Sequence, residues 1–238
     1  LLNKNKKITI FKMKKYSIII PTLNEASGIS AFLKPLQSLH SQCEIIIADG
    51  GSSDATESLA KASVDIFLSA KKGRAVQMNQ GAQQATAPVL IFLHADTLLP
   101  ELALQAIEQG INKGYQWGRF DMQLIGKHPF LNVISFMMNW RSRLSGIATG
   151  DQAIFVKKDL FDKLGGYPNI ALMEDIALSQ QLKEYSAPYC IKEKVKSSGR
   201  RWESYGIGKT ILLMWSLRLR YFLGTSPDKL AKMYRGET

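Results

Sequence analysis

Three short polar clusters, each directly after an apolar run, carry residue types that do chemistry: Thr22 to Glu25, Asp49 to Asp54 and His94 to Asp96. Carboxylates in such places can ligate a hard cation, accept an N–H hydrogen bond or take up a proton. Asp49 precedes Gly50 and Gly51, which let a ligand approach the backbone closely. Asp54 reads as a helix N-cap. Thr22 and Glu25 have the spacing of a capping box. Asp96 offers a hard oxygen ligand, and His94 shares its side of an extended chain. An imidazole there suits Mn²⁺ better than Mg²⁺; hydrogen bonding and plain packing are the other roles open to it. Arg74 follows Gly73 at an expected helix start, where guanidinium and helix N-terminus both attract phosphate; a solvated arginine is the alternative. Glu174 and Asp175 open a helix after a loop containing Gly165, Gly166 and Pro168, and two acids complement the dipole at that end.

These residues need a scaffold, and the first half of the chain supplies strands separated by helices. Tyr16 to Pro21 and Glu44 to Ala48 are continuous apolar runs, as expected of strands buried on both faces. Asp65 to Leu68 and Val89 to His94 read as two more. Helical spacing covers about Glu25 to Leu39, Ala55 to Ala62 and Gly73 to Ala85, with a further helix from Pro100. This alternation predicts an α/β fold with a mostly parallel sheet, whose ligands bind beyond the carboxyl ends of the strands. The three clusters fall at those ends. In the less regular second half, strands are expected at Gln116 to Ile125, Ala153 to Val156 and Tyr189 to Val195. Helices are expected at Phe130 to Leu144 and Glu174 to Glu184.

The 238 residues suit one domain with a small appendage. Hydrophobic residues at 45% allow a substantial core, and 21% charged residues argue against general disorder. The net charge of +11 favours anionic partners. Six lysines in the first fifteen residues read as a solvated tail, and residues 1–13 as a flexible extension. Cys43 and Cys190 each sit in an apolar stretch, as buried free thiols, which suits a reducing compartment. No run reaches the roughly 18 apolar residues of a membrane span. Residues 206–238 form an amphipathic helical segment, fit either to lie on an anionic membrane or to pack against the domain or a second subunit.

The ordered series IIIPTLNE, IIIADGGSSD, KKGRAVQMNQGA, IFLHAD and MED resembles the family 2 glycosyltransferases over about residues 16 to 205. With TGDQAIFV and GRRWE it resembles, more narrowly, a small bacterial-type branch. The resemblance implies a GT-A fold spanning residues 14–205, a nucleotide-diphosphate-sugar donor, a divalent cation (Mn²⁺ or Mg²⁺), and transfer to an acceptor hydroxyl with inversion. It implies that Asp49 holds the base, uracil, and that Thr22 and Glu25 line the base and ribose pocket. Asp96 would hold metal and diphosphate; His94 replaces the first acid of the usual D-x-D pair. Asp175 would be the base, supported by Glu174, and Asp151 would orient the acceptor or form a turn. Arg201 and Trp202 resemble part of the Q-x-x-R-W motif, with Ser198 at the glutamine position, so processivity is not expected; a diphosphate contact and a sugar-stacking face are their expected roles, or else a surface loop with a packed Trp. A saccharide or lipid acceptor, action in the cytoplasm or at the inner membrane face, and a homodimer are compatible with this reading; a nucleic-acid partner is not expected. A sugar nucleotidyltransferase would need a Gly-rich phosphate loop after the first strand, where this chain has PTLNEASG. A non-catalytic lipid- or nucleic-acid-binding module would need a basic stripe with interleaved aromatics.

Overall fold

The computed structural model describes residues 13–237; apart from Met13, the expected N-terminal extension lies outside them. Four strands form the first half of one sheet: β1 (Tyr16–Thr22), β2 (Cys43–Asp49), β3 (Ile66–Ser69) and β4 (Val89–Phe92). They pair in parallel, β2 and β4 flanking β1. Their apolar runs are continuous because both faces are covered. Ile18, Ile20, Ile45 and Ile47 join one core cluster, while Ile19 and Ile46 join a second on the opposite face. The first face is covered by α1 (Ile29–Leu36), the second by α3 (Arg74–Gln84). Full burial of each isoleucine contributes about 1.5–3 kcal/mol, so a one-residue slip of any strand, which exchanges its faces, is strongly disfavoured.

The remaining strands are β5 (Thr97–Leu98), β6 (Trp117–Ile125), β7 (Ile154–Lys157) and β8 (Tyr189–Ser198). The order across the sheet is β3-β2-β1-β4-β7-β6-β8-β5. Here the direction changes: β7 runs antiparallel to both β4 and β6, and β5 antiparallel to β8, while β6 and β8 are parallel. The sheet is thus mostly parallel, with β7 inserted against the grain. A bulge lies at Phe120/Asp121. α5 (Phe130–Ser145) caps β6 with side chains. Asn139 accepts from the Met122 N–H at 2.8 Å and donates to its carbonyl at 2.9 Å, and Ser135 accepts from the Leu124 N–H at 2.9 Å.

Several helix expectations shift. α1 starts at Ile29 rather than near Glu25, because Asn24 takes a left-handed conformation (φ 56°) and the Glu25 carbonyl closes a turn with the N–H groups of Gly28 and Ile29. The capping-box reading of Thr22 and Glu25 therefore fails. α2 spans Thr56–Ala60. Pro100 stands in a turn, its carbonyl accepting from the Ala103 N–H, and α4 begins only there (Ala103–Asn112). The sequence pattern does not foretell α6 (Lys158–Lys163). α7 (Glu174–Lys183) matches expectation. Residues 200–205 form a helix, α8 (Arg200–Tyr205), rather than a loop. The C-terminal segment is two helices, α9 (Ile207–Phe222) and α10 (Pro227–Arg235). They pack through Leu217 and Leu230 against Ile147, Met173 and Ile176. Among the described residues, no helix is long and apolar enough to cross a membrane.

Both cysteines are free; Cys43 is fully buried and Cys190 half-buried. Burial pushes the Cys43 thiol up to about 12. At pH 8 a maleimide should label native protein at Cys190 and spare Cys43 until denaturant is added, read by peptide mass spectrometry. Native labelling of Cys43 would contradict this packing.

Candidate active site

The strand order reverses at β1, whose neighbours are β2 on one side and β4 on the other, and a ligand crevice is expected beyond their carboxyl ends. Thr22 and Asp49 are register partners there. Thr22 Oγ1 donates to Asp49 Oδ1 at 2.9 Å. Asp49 also accepts from Ser52 Oγ (2.6 Å) and from the N–H groups of Gly51 (3.0 Å) and Ser52 (2.7 Å). Four donors match the roughly four lone-pair sites of a carboxylate, so a base N–H reaches Asp49 only as a donor such as the rotatable Ser52 hydroxyl turns away.

The two loops are knitted together. Asn24 Oδ1 accepts from the Ser53 N–H at 2.9 Å, Thr56 Oγ1 from the Glu25 N–H at 2.8 Å, and Asp54 from the N–H groups of Ala26 and Thr56, each at 3.0 Å. The buried Gln77 amide of α3 donates to the carbonyls of Thr22 and Ala48, both at 2.8 Å. Gly50 leaves room for it: a Cβ there would lie 3.0 Å from the Gln77 amide. Sequence reading includes Asn24 and Ser52 in its polar clusters without giving them a role, and passes over Thr56 and Gln77. Only Asn24 carries a signal, as a residue type that tolerates the left-handed region.

A cavity of 530 Å³ opens beside this edge, lined among others by Arg74, His94, Asp96, Asp151, Glu174 and Asp175. Arg201 and Trp202 line it too. Thr22, Glu25 and Asp49 stand outside its walls, although Glu25 is close enough to Asp96 to feel its charge: burial first, and then Asp96, raises the Glu25 pKa.

Arg74 sits at the first residue of α3, and its Nη1 pairs with the buried Glu174 at 3.3 Å. Burial raises the Glu174 pKa, with Arg74 opposing and Asp175 adding to the rise. Asp175 accepts from the Gly150 N–H at 2.8 Å and from the Ile176 N–H at 2.8 Å. Its carboxylate is thus held at the start of α7 and aimed at the 149–152 turn. In that turn Thr149 Oγ1 donates to Asp151 at 2.6 Å, and Thr149 and Gln152 form a reciprocal capping box. Burial raises the Asp151 pKa, opposed by the Thr149 hydrogen bond and increased by Asp175. The Arg201 guanidinium lies 3.7 Å from the Tyr234 ring centroid, and its Nη2 donates to the Tyr234 carbonyl at 3.0 Å.

His94 departs from a simple ligand geometry. Its Nε2 is buried without a hydrogen-bond partner, and a Cβ at Gly150 would meet that nitrogen at 2.4 Å. Burial, and then the Arg74 charge, pushes its pKa down to about 3, so the ring is neutral. Asp96 is the exposed oxygen donor of the pair. Among the described residues, no three His, Cys, Asp or Glu side chains gather to hold a metal. That fits an ion bound by one or two protein groups plus substrate phosphates, as Mg²⁺ commonly is, and does not fit a closed protein cage.

Two charged cavity residues escape notice as site residues in the sequence: Arg141 of α5 and Arg218 of α9.

A parallel sheet edge with acidic strand ends, closed by an antiparallel strand and a helix opening on Glu-Asp, defines a GT-A glycosyltransferase fold. The chain belongs to glycosyl transferase family 2, whose model matches residues 17–159. It is similar to the "Probable glycosyltransferase YdaM" of Bacillus subtilis, at 25% identity over 207 residues, covering 76% of this chain and 49% of that protein. The chain therefore spans about half the length of that relative. Among solved structures, the mannosyltransferase PcManGT from Pyrobaculum calidifontis, in complex with GDP-Man and Mn²⁺, has a TM-score of 0.64 at 17% identity, covering 93% of this chain and 70% of that one. S. aureus TarS 1-349 in complex with UDP-GlcNAc has a TM-score of 0.63 at 15% identity, covering 78% and 58%.

Proposed function

We propose that this transferase moves a sugar from a nucleoside-diphosphate donor, a UDP-sugar, to an acceptor hydroxyl with inversion. The observation that carries the reading is the cavity in which Asp96, Arg74 and an anchored Asp175 face one space. Asp49, Thr22 and Glu25 hold base and ribose at the neighbouring strand ends. Arg74 and Asp96 lie on the diphosphate side. A divalent ion held by Asp96 and the donor phosphates would neutralise the leaving group. From the opposite face the acceptor oxygen attacks the anomeric carbon, the bond from that carbon to the diphosphate oxygen breaks, and the hydroxyl proton passes to Asp175. Glu174 positions Arg74, Asp151 orients the acceptor, and Trp202 offers a sugar-stacking face. Residues 14–205 form the catalytic domain and 206–238 an appended helical segment. Family membership favours transfer over the nucleotidyltransferase and binding-module readings.

Calorimetry with UDP, with and without Mn²⁺, tests this. UDP should bind, and more tightly with Mn²⁺. Asp49→Ala should cost about 1.5–3 kcal/mol of binding with or without the ion, the value of a hydrogen bond to a charged group. Asp96→Ala should abolish the gain from Mn²⁺. If no uridine nucleotide binds, or both variants bind as the parent does, the assignment is lost.

A further inference from the structure

Away from Asp96 the cavity changes character. Beside Asp151 and Asp175 it carries two guanidinium groups, Arg141 and Arg218. Arg141 Nε and Nη2 are buried with no hydrogen-bond partner. Among the described residues neither arginine forms an ion pair with a carboxylate. Burial, and then the Arg218 charge, lowers the Arg141 pKa to about 10. Taking a guanidinium out of water without a partner is costly. Arg141 is the group left so; Arg218 stands close enough to lower its pKa, while Asp151 and Asp175 partly offset both charges. The unused donors of Arg141 form part of a planar fork that suits phosphate.

The same cavity also has an apolar lining from Met137 and Met138 of α5 and from Ile211, Met214 and Trp215 of α9. Elsewhere on their surfaces both helices turn apolar stripes outward. Phe136, Trp140 and Leu144 project from α5, and Leu212, Leu219 and Phe222 from α9, all more than half exposed. Their helical spacing makes each stripe one continuous face, of the kind a surface helix normally turns to a core. Exposed apolar faces of this extent mark an interaction surface. Lys209 and Arg220 share α9 with its stripe, within a chain of net charge +11. Apolar and basic residues together on a helix suit an anionic bilayer surface better than a neutral protein face.

We propose that the acceptor is an anionic amphiphile: a phosphate-type group rests on Arg141 and Arg218, the hydroxyl to be glycosylated lies at Asp175, and the alkyl chain leaves between α5 and α9 into an anionic bilayer on which the two stripes sit. Only the position of the hydroxyl rests on the transferase reading; the anion site and the apolar channel do not.

The test uses dodecyl phosphate, inorganic phosphate and dodecyl maltoside as calorimetric probes, the amphiphiles below their micelle concentrations, alongside UDP. Dodecyl phosphate should bind at least tenfold more tightly than either other probe. Arg141→Gln and Arg218→Gln should each weaken it about tenfold with UDP affinity retained; the two lie on different helices, so a folding failure of one leaves the other informative. In flotation, the protein should rise with phosphatidylglycerol-containing vesicles and not with pure phosphatidylcholine, and Phe136→Glu with Leu219→Glu should abolish this. Inorganic phosphate binding as tightly as dodecyl phosphate, or dodecyl phosphate binding unchanged by both arginine variants, would overturn the proposal. So would a stable dimer, by light scattering, that the Glu variants dissociate, since it assigns the stripes to a second copy. Loss of UDP binding with dodecyl phosphate binding intact would sink the UDP-donor reading alone.

Discussion

Asp175→Asn should lower the catalytic rate by about 10²–10⁴-fold, the usual contribution of a positioned general base, and leave UDP affinity close to that of the parent. Asparagine is nearly isosteric, and its one amide oxygen can still accept from the Gly150 N–H that holds Asp175 at 2.8 Å, giving up only the bond from the Ile176 N–H, so the anchor to the 149–152 turn survives while proton uptake is lost. Production of UDP from a UDP-sugar, with water as the default acceptor, gives the rate whatever the natural acceptor is. Calorimetry with UDP gives the binding control. Equal rates for parent and variant would remove Asp175 from proton transfer and leave it as an anchor of the 149–152 turn. Loss confined to UDP affinity would place it on the donor side.

Asp121→Ala should destabilise the folded protein by about 3–5 kcal/mol, the range for breaking a buried ion pair by removing one partner. Arg119 is fully buried and pairs with Asp121, which also pairs with Arg143 at 2.7 Å. Arg119 Nη2 reaches the Asn139 carbonyl at 3.3 Å, and its Nε has no partner. Without Asp121 a buried cation keeps one long hydrogen bond to a neutral group. Replacing both partners, Arg119→Met with Asp121→Leu, should cost less than the single change, because no fully buried charge is left uncompensated and Arg143, the other partner of Asp121, is partly exposed to water. Urea unfolding monitored by far-UV circular dichroism measures both. A single-variant loss below about 1 kcal/mol would mean that Arg119 reaches water or another anion.

How far such features can be read in advance depends on what determines them. β1 and β2 are legible because sheets covered on both faces demand unbroken apolar runs, and Ile18 to Ile20 and Ile45 to Ile47 supply them. Their acidic ends are legible for the same reason, since a polar residue closing such a run is conspicuous. The antiparallel course of β7 is not: Ile154 to Val156 would suit either direction, and pairing with β4 and β6 is decided far away in sequence. Asp49 stands out by type and place, but the completeness of its hydrogen bonding depends on Thr22 and on the turn at Ser52. Arg141 and Arg218 are hidden as a pair because they lie on helices 77 positions apart in the chain, and only tertiary packing brings them to one cavity. Pro100 misleads because its preference for a first helical position is equally served by a turn.

The single Gln77 amide has a mechanical consequence. It fastens the ends of β1 and β2, and three residues earlier on the same rod of helix stands Arg74, latched to Glu174. The strand ends proposed to carry the base and the guanidinium proposed to face the phosphates are therefore one crosspiece rather than two independent parts. If an arriving diphosphate draws Arg74 away from Glu174, α3 must either bend or carry the strand ends with it. On the proposed donor site, the tightness of the base grip would then be linked to whether Glu174 has been released.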